Sequence, residues 1–179
     1  MNTQKSDINN ILLVEDDPLD VKLTLAALDE LHLANHILVV HDGAAALDYL
    51  YQRGEFKGRQ PGNPVLVLLD NKMPKVSGLE VLKTLKADVE LKMIPVVALT
   101  SSRETPDLKA FYELGVNAYV VKPVDFADFM AAVKQVGVFW AAINEPPPQN
   151  KIADTGVLTA PVSPREAEEP GKSLLTQSV

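Results

Sequence analysis

The chain has 179 residues, 46% hydrophobic and 23% charged, with no cysteine. That length supports a buried core, and the lack of cysteine excludes disulfides, thiol catalysis and Cys-ligated zinc. Seventeen Lys and Arg stand against 24 Asp and Glu, a net charge of −7 with no basic block, which does not suit phosphate-backbone binding to nucleic acid. No uninterrupted apolar run approaches the ~20 residues of a membrane helix, and the opening MNTQKSDINN has no signal-peptide core. A cytoplasmic protein, associated with neither nucleic acid nor membrane, is the expectation.

Residues 1–9 read as an N-terminal arm. The ordered region then alternates apolar runs with amphipathic stretches. Ile11–Val14 is a first apolar run. Asp17-Pro18-Leu19-Asp20 supplies an N-cap, a proline at the first helical position and an acid in the first turn. Ile37–Val40 is the second run, and Gly43–Arg53 the second helix. Val65–Leu69 is the third run, and Ser77-Gly78-Leu79-Glu80 a capping box that opens the third helix. Ile94–Leu99 is the fourth run. Thr105-Pro106 opens a helix that stops near Leu114-Gly115. Tyr119–Val121 is the fifth run. From Asp125 to Ile143, apolar residues recur at Phe126, Phe129, Met130, Val133, Val136, Trp140 and Ile143, a helical spacing.

Runs that are apolar on both faces suit strands covered on both sides. Five strand–helix repeats predict an open α/β sheet of five parallel strands with helices on both faces. The domain spans 10–144. All ten aromatic residues lie at or before Trp140, and six of the thirteen prolines fall in the last 34 residues. The tail, 145–179, is therefore expected to be disordered.

Functional groups in such sheets collect beyond the carboxyl ends of the strands. Here the first strand ends in Glu15-Asp16-Asp17, the third in Asp70-Asn71, the fourth in Thr100-Ser101-Ser102 and the fifth in Lys122-Pro123. Three carboxylates against one ammonium leave a net negative cluster. Two carboxylates ~4 Å apart repel by about 4 kcal/mol at an effective dielectric near 20. Such a cluster invites a divalent cation, and oxygen-only ligands suit Mg²⁺. A carboxylate can also act as a nucleophile and form an acyl phosphate. His32 and His36 are four apart, but no acid follows His32, so a metal site is not expected there.

The ordered set resembles the receiver domain of two-component response regulators. It comprises Glu15-Asp16, Asp70 within LLDNKMP, Gly78 eight positions on, Thr100, and Tyr119 three before Lys122-Pro123. The loop holding Phe56, Gly58 and Pro61, with the segment FWAAINEPP ending at Pro147, is similar to the phytochrome-associated single-domain type.

The resemblance implies a flavodoxin-like (βα)5 doubly wound sheet. It makes Asp70 the phosphoacceptor for a sensor histidine kinase, in this subtype a bacterial phytochrome. It implies Mg²⁺ held by Asp16, Asp70 and the Lys72 backbone carbonyl, with Glu15 acting through a metal-bound water. Lys122 would pair with phosphoryl oxygens, aimed by a cis Lys122–Pro123 peptide. Thr100 would donate its hydroxyl to the phosphate, and Tyr119 would turn inward as Thr100 moves. Asn71 and Lys72 could tune dephosphorylation. Phe139 and Trp140 are adjacent, so one can face the core while the other adds exposed apolar area, expected as a homodimer contact.

With no output domain expected, the signal is read through protein contact. Self-phosphorylation and slow hydrolysis are its only catalysis. Two rivals remain at this stage. One is a pseudo-receiver, a binding module without phosphoryl chemistry. The other is an aspartyl phosphatase, disfavoured because Lys72 stands where that chemistry wants an acid.

Overall fold

The structure, a computed structural model, describes residues 11–33 and 36–147. The arm expected at 1–9 and the tail from 148 onward lie outside the described residues. Five parallel strands form one sheet in the order β2-β1-β3-β4-β5, with β1 Ile11–Val14, β2 Ile37–Val40, β3 Leu66–Leu69, β4 Val96–Thr100 and β5 Ala118–Val121. The helices between and after them are α1 Pro18–Asp29, α2 Gly43–Leu50, α3 Gly78–Ala87, α4 Thr105–Glu113 and α5 Phe126–Val138.

Successive strand side chains point to opposite faces, and the sheet uses that alternation to build two cores. Leu12, Val14, Val67, Leu69, Val96 and Ala98 pack with Tyr49 and Leu50 of α2, Val81, Leu82 and Leu85 of α3, and Phe111 of α4. Ile11, Leu13, Leu66, Leu68, Val97 and Leu99 pack with Val21, Ala27 and Leu28 of α1, and Phe129, Met130 and Val133 of α5. The sheet is thus covered on both sides, which is why its strands are apolar at every position.

Several bounds differ from expectation for local reasons. α2 stops at Leu50, and Gln52 beyond it has a left-handed φ of 54° that ends the helix. β4 starts at Val96 because Pro95 has no N–H for the ladder. The last helix is α-helical only to Val138, and a π turn over Phe139–Ile143 closes it with Asn144 N–H on the Phe139 carbonyl. Phe126–Ile143, averaged over 18 residues, reaches a hydropathy of 1.3, enough by length and composition to cross a membrane. Lys134 and Gln135 interrupt the run, so a search for continuous apolar sequence passes over it. Its Phe129, Met130 and Val133 are buried in the second core.

The strand order places the reversal between β1 and β3. The crevice at such a reversal, beyond the strand carboxyl ends, is the fold's binding position.

Candidate functional site

The strand register brings Glu15, Asp70, Thr100 and Lys122 to one end of the sheet. Val14 is level with Leu69, so the residues after them, Glu15 and Asp70, are neighbours. Glu15 N–H donates to the Val40 carbonyl and Asp70 N–H to the Val14 carbonyl, both at 3.0 Å, extending the ladder into the site. Lys122 N–H donates to the Thr100 carbonyl at 2.8 Å and does the same for β4 and β5. Glu15, Asp70 and Lys122 are therefore each fixed by one more backbone bond than their strands formally contain.

Glu15, Asp16 and Asp70 each offer a carboxylate oxygen within 4.8 Å of the others. Glu15 and Asp70 are buried, and Asp16 is open to solvent. A hard divalent cation fits this oxygen-only set by donor chemistry and by charge. Lys72 follows with its side chain in solvent, and its N–H donates to Asp70 Oδ2 at 2.7 Å. Asp17 is the N-cap of α1, accepting from the N–H groups of Leu19 and Asp20. That matches its expected structural role.

Lys122 Nζ lies 2.7 Å from Glu15 Oε2, 2.7 Å from Asp20 Oδ2 and 3.0 Å from Asp70 Oδ1. Its side chain is only 9% exposed. Charge contacts near 3 Å are worth about 5 kcal/mol each at an effective dielectric near 20, and burying an ion costs several kcal/mol. Three carboxylates outweigh that cost. Burial pushes the Lys122 ammonium toward losing its proton, yet the hydrogen bonds to Asp20 and Glu15 and the charge of Asp70 hold it above the ordinary lysine range. Burial dominates at Glu15 and pushes its carboxyl up to about 7, against the hydrogen bond and charge of Lys122, with Asp70 adding to the rise. The Lys122 shift thus comes from its three carboxylate partners and the Glu15 shift mainly from burial.

The Lys122–Pro123 peptide is trans, and no cis bond occurs among the described residues. This corrects the expectation of a cis bond that aims the lysine. The isomers of an X–Pro bond differ by only about 0.5–1 kcal/mol, and here the three carboxylates orient the side chain.

Thr100 is fully buried, and its hydroxyl oxygen accepts from the Ser102 N–H at 3.1 Å. The Ser102 hydroxyl donates to Asp107 Oδ2 at 2.7 Å, and Asn71 Nδ2 donates to the same oxygen at 3.2 Å. Asp107 in the first turn of α4 thereby joins the β4–α4 loop to the residue after Asp70. The Tyr119 hydroxyl donates to the Ser102 carbonyl at 3.1 Å, and its ring meets Phe111 edge-on at 5.4 Å. Burial holds the Tyr119 phenol above its ordinary value.

The loop from β3 to α3 is held at both ends. The Ser77 side chain accepts from Glu80 N–H while Glu80 accepts from Ser77 N–H, the expected capping box. Gly78 packs so closely on the strand end that a Cβ there would lie 2.1 Å from the Asp70 carbonyl oxygen. Midway, Lys75 sits at φ 64° and bonds Asp42 Oδ2 at 2.5 Å.

Trp140 packs against the second core, and Phe139 stands 47% exposed beside it, their rings edge-on at 5.1 Å. Sequence reasoning missed two contributors. Asp20 was legible only as a first-turn acid, and Asp107 gave no signal beyond the same position in α4. Asp20 and Lys122 meet across 102 residues of chain, and neither contact has a local motif.

A doubly wound sheet with a buried aspartate, two further acids, a hydroxyl and a lysine at its reversal defines a receiver. The response regulator receiver domain family model matches residues 11–134, and the chain belongs to that family. Several of its relatives within that family are phytochrome response regulators. Bacteriophytochrome response regulator RtBRR is 57% identical, covering 79% of this chain and 85% of its own, with a TM-score of 0.64. The phosphorylated cyanobacterial phytochrome response regulator RcpA is 36% identical, covering 78% and 99%, with a TM-score of 0.73. Response regulator Rcp1 of Synechocystis is 39% identical over 73% of this chain and 87% of its own. Its Mn²⁺-bound structure superposes with a TM-score of 0.71 at 37% identity, covering 78% and 99%.

Proposed function

We propose that this chain takes a phosphoryl group onto Asp70 from a sensor histidine kinase and signals by protein contact. The observation that carries this is Asp70 itself. It is a buried carboxylate 3.0 Å from the Lys122 ammonium and within 4.8 Å of two further acid oxygens. An Asp70 oxygen attacks the phosphorus of phosphohistidine. The P–O bond forms as the P–N bond breaks, and the imidazole leaves with the electron pair and takes a proton. Lys122 balances charge on the phosphoryl oxygens, where a compact ammonium suits the task. Mg²⁺, when bound by Glu15, Asp16, Asp70 and the Lys72 carbonyl, supplies electrostatic stabilisation of those oxygens. Thr100 donates its hydroxyl hydrogen to the phosphoryl group, and Tyr119 turns inward as Thr100 moves.

Incubation with acetyl phosphate and Mg²⁺ should add one phosphoryl mass, acid-stable and hydroxylamine-labile. Incorporation that persists in Asp70→Asn, or none in the native chain, refutes the assignment.

The partner kinase is a bacterial phytochrome. The likeness to RtBRR and RcpA supports this, together with the Phe139-Trp140 segment at the C-terminal end of the domain. Phosphotransfer from a purified bacterial phytochrome that changes with red light tests the pairing, and transfer indifferent to light counts against it. Phe139, exposed beside a packed Trp140, is the anchor of a homodimer. Sedimentation should show a lighter species for Phe139→Ala, and an unchanged mass ends that part of the reading.

A further inference from the structure

Glu15 and Asp70 are claimed twice. They provide two of the three oxygens that a divalent cation would use, and both also hold the Lys122 ammonium. A dication and the ammonium would draw on the charge of the same two carboxylates. Phosphoryl chemistry needs both cations present together, so the ammonium needs another anion to lean on.

Asp20 is that anion. Its Oδ2 lies 2.7 Å from Lys122 Nζ, as close as Glu15. It stands outside the oxygen cluster, in the first turn of α1. The Asp17 cap holds the Asp20 N–H, which fixes the turn so that the Asp20 carboxylate reaches over the strand ends. Asp20 is also the most exposed of the three partners, its side chain at 27% against 3% for Glu15 and 7% for Asp70. It is thus the partner that loses the least solvation.

We propose that Asp20 is a positioning residue that seats the Lys122 ammonium outside the oxygen cluster, freeing Glu15 and Asp70 for the divalent ion. This rests on the receiver reading above. Asp20 acts through Lys122 and does not itself hold the metal. The ammonium, tethered to Asp20, remains within reach of phosphoryl oxygens on Asp70.

The role is separable from a simple charge effect. Any carboxylate near a dication attracts it, whether or not Lys122 is present. The Asp20 seat acts only where Lys122 exists to be seated. Mn²⁺ titrations of the full chain, by calorimetry and by electron paramagnetic resonance, provide the readout. Asp20→Asn should weaken Mn²⁺ binding about five- to tenfold in the native background, a coupling within the range of contacting groups. In a Lys122→Met background the same change should cost less than about twofold. Asp20→Glu, which restores a carboxylate, should recover affinity. The phosphorylation of Asp20→Asn by acetyl phosphate should demand more Mg²⁺ than that of the native chain.

Equal losses of Mn²⁺ affinity in both backgrounds would overturn the proposal and leave Asp20 a remote charge. No loss in the native background would overturn it as well. Circular dichroism checks that the isosteric variant folds. If the native chain binds Mn²⁺ and is phosphorylated on Asp70 but the cycle shows no coupling, the Asp20 role alone fails. If the native chain does neither, the receiver reading fails with it.

Discussion

Gly78→Ala tests whether Asp70, the proposed phosphoacceptor, is positioned by the helix that follows it. Two effects oppose each other. Alanine gains helix propensity over glycine, at most about 1 kcal/mol and less in a first turn. Against that, the new Cβ would lie 2.1 Å from the Asp70 carbonyl oxygen and 2.9 Å from Asn71 Cα. Both obstacles are backbone, so no flexible side chain can swing away. The strand end or the helix must retreat by roughly 1 Å to restore an ordinary contact. Overpacking of this kind costs about 1–3 kcal/mol, so the clash wins and the net loss is about 1–2 kcal/mol. The displaced group is Asp70, the proposed phosphoacceptor, whose side chain bonds Lys72 N–H and the Lys122 ammonium. Misplacement by an ångström can cost about a hundredfold in rate. Urea unfolding and acetyl-phosphate labelling should thus report a lower midpoint and a much slower phosphorylation together. Gly115→Ala is the control. Gly115 has φ 83° with open space around its Cβ position, so it should lose about 1–2 kcal/mol from left-handed strain while phosphorylation stays native. A Gly78→Ala protein with native midpoint and native labelling would refute the packing argument.

Two further outcomes follow from the loops around the site. Asp42 is held below its ordinary carboxylate value, first by the hydrogen bond from Lys75 and then by the Ala45 N–H. Its contribution to stability is complete above the unfolded value of 3.8 and is lost as pH falls through the lower folded value. Acid denaturation of Asp42→Asn should therefore show a shallower loss below that pH than the native chain, and an identical acid limb would count against the pairing. Asp107→Ala removes the shared acceptor of Ser102 and Asn71. It should cost about 1.5–3 kcal/mol in urea unfolding, the usual worth of bonds to a charged group, and a change below about 0.5 kcal/mol would refute the link.

The fold was largely legible because its signals are local. Five apolar runs, four of them closed by polar residues with chemistry, marked the strands, and the capping box at Ser77 and the Asp17-Pro18 start marked two helices. Two-sided burial was readable from Leu12-Leu13 and Leu66-Val67-Leu68-Leu69, which leave no polar position for a solvent face. Helix ends were read less well. The stop of α2 depends on Gln52 taking a left-handed φ, which nothing in its neighbours demands. The π turn at Phe139–Ile143 follows a helical apolar spacing that an α-helix would satisfy equally. The trans Lys122–Pro123 bond was illegible because the two isomers lie so close in energy that surrounding contacts decide.

The site was legible in its parts and not in its balance. Sequence reasoning counted Glu15, Asp16 and Asp70 against Lys122 and so judged the cluster net negative, but it left Asp20 to the helix dipole. Asp20 adds a fourth acid and contacts the ammonium directly. The added charge changes the logic of the crevice. With Glu15 and Asp70 alone, Lys122 would be a resident counter-ion whose release leaves two buried carboxylates facing each other. With Asp20, the ammonium has a partner nearer to solvent and the two buried acids have a lysine that can yield. Burial also lifts Glu15 to about 7, against the hydrogen bond and charge of Lys122. On the proposed function, the crevice accepts both a dication and a phosphoryl group. A single lysine shared among three carboxylates of unequal burial gives the crevice a charge distribution that can shift at each stage without a buried ion losing all its partners.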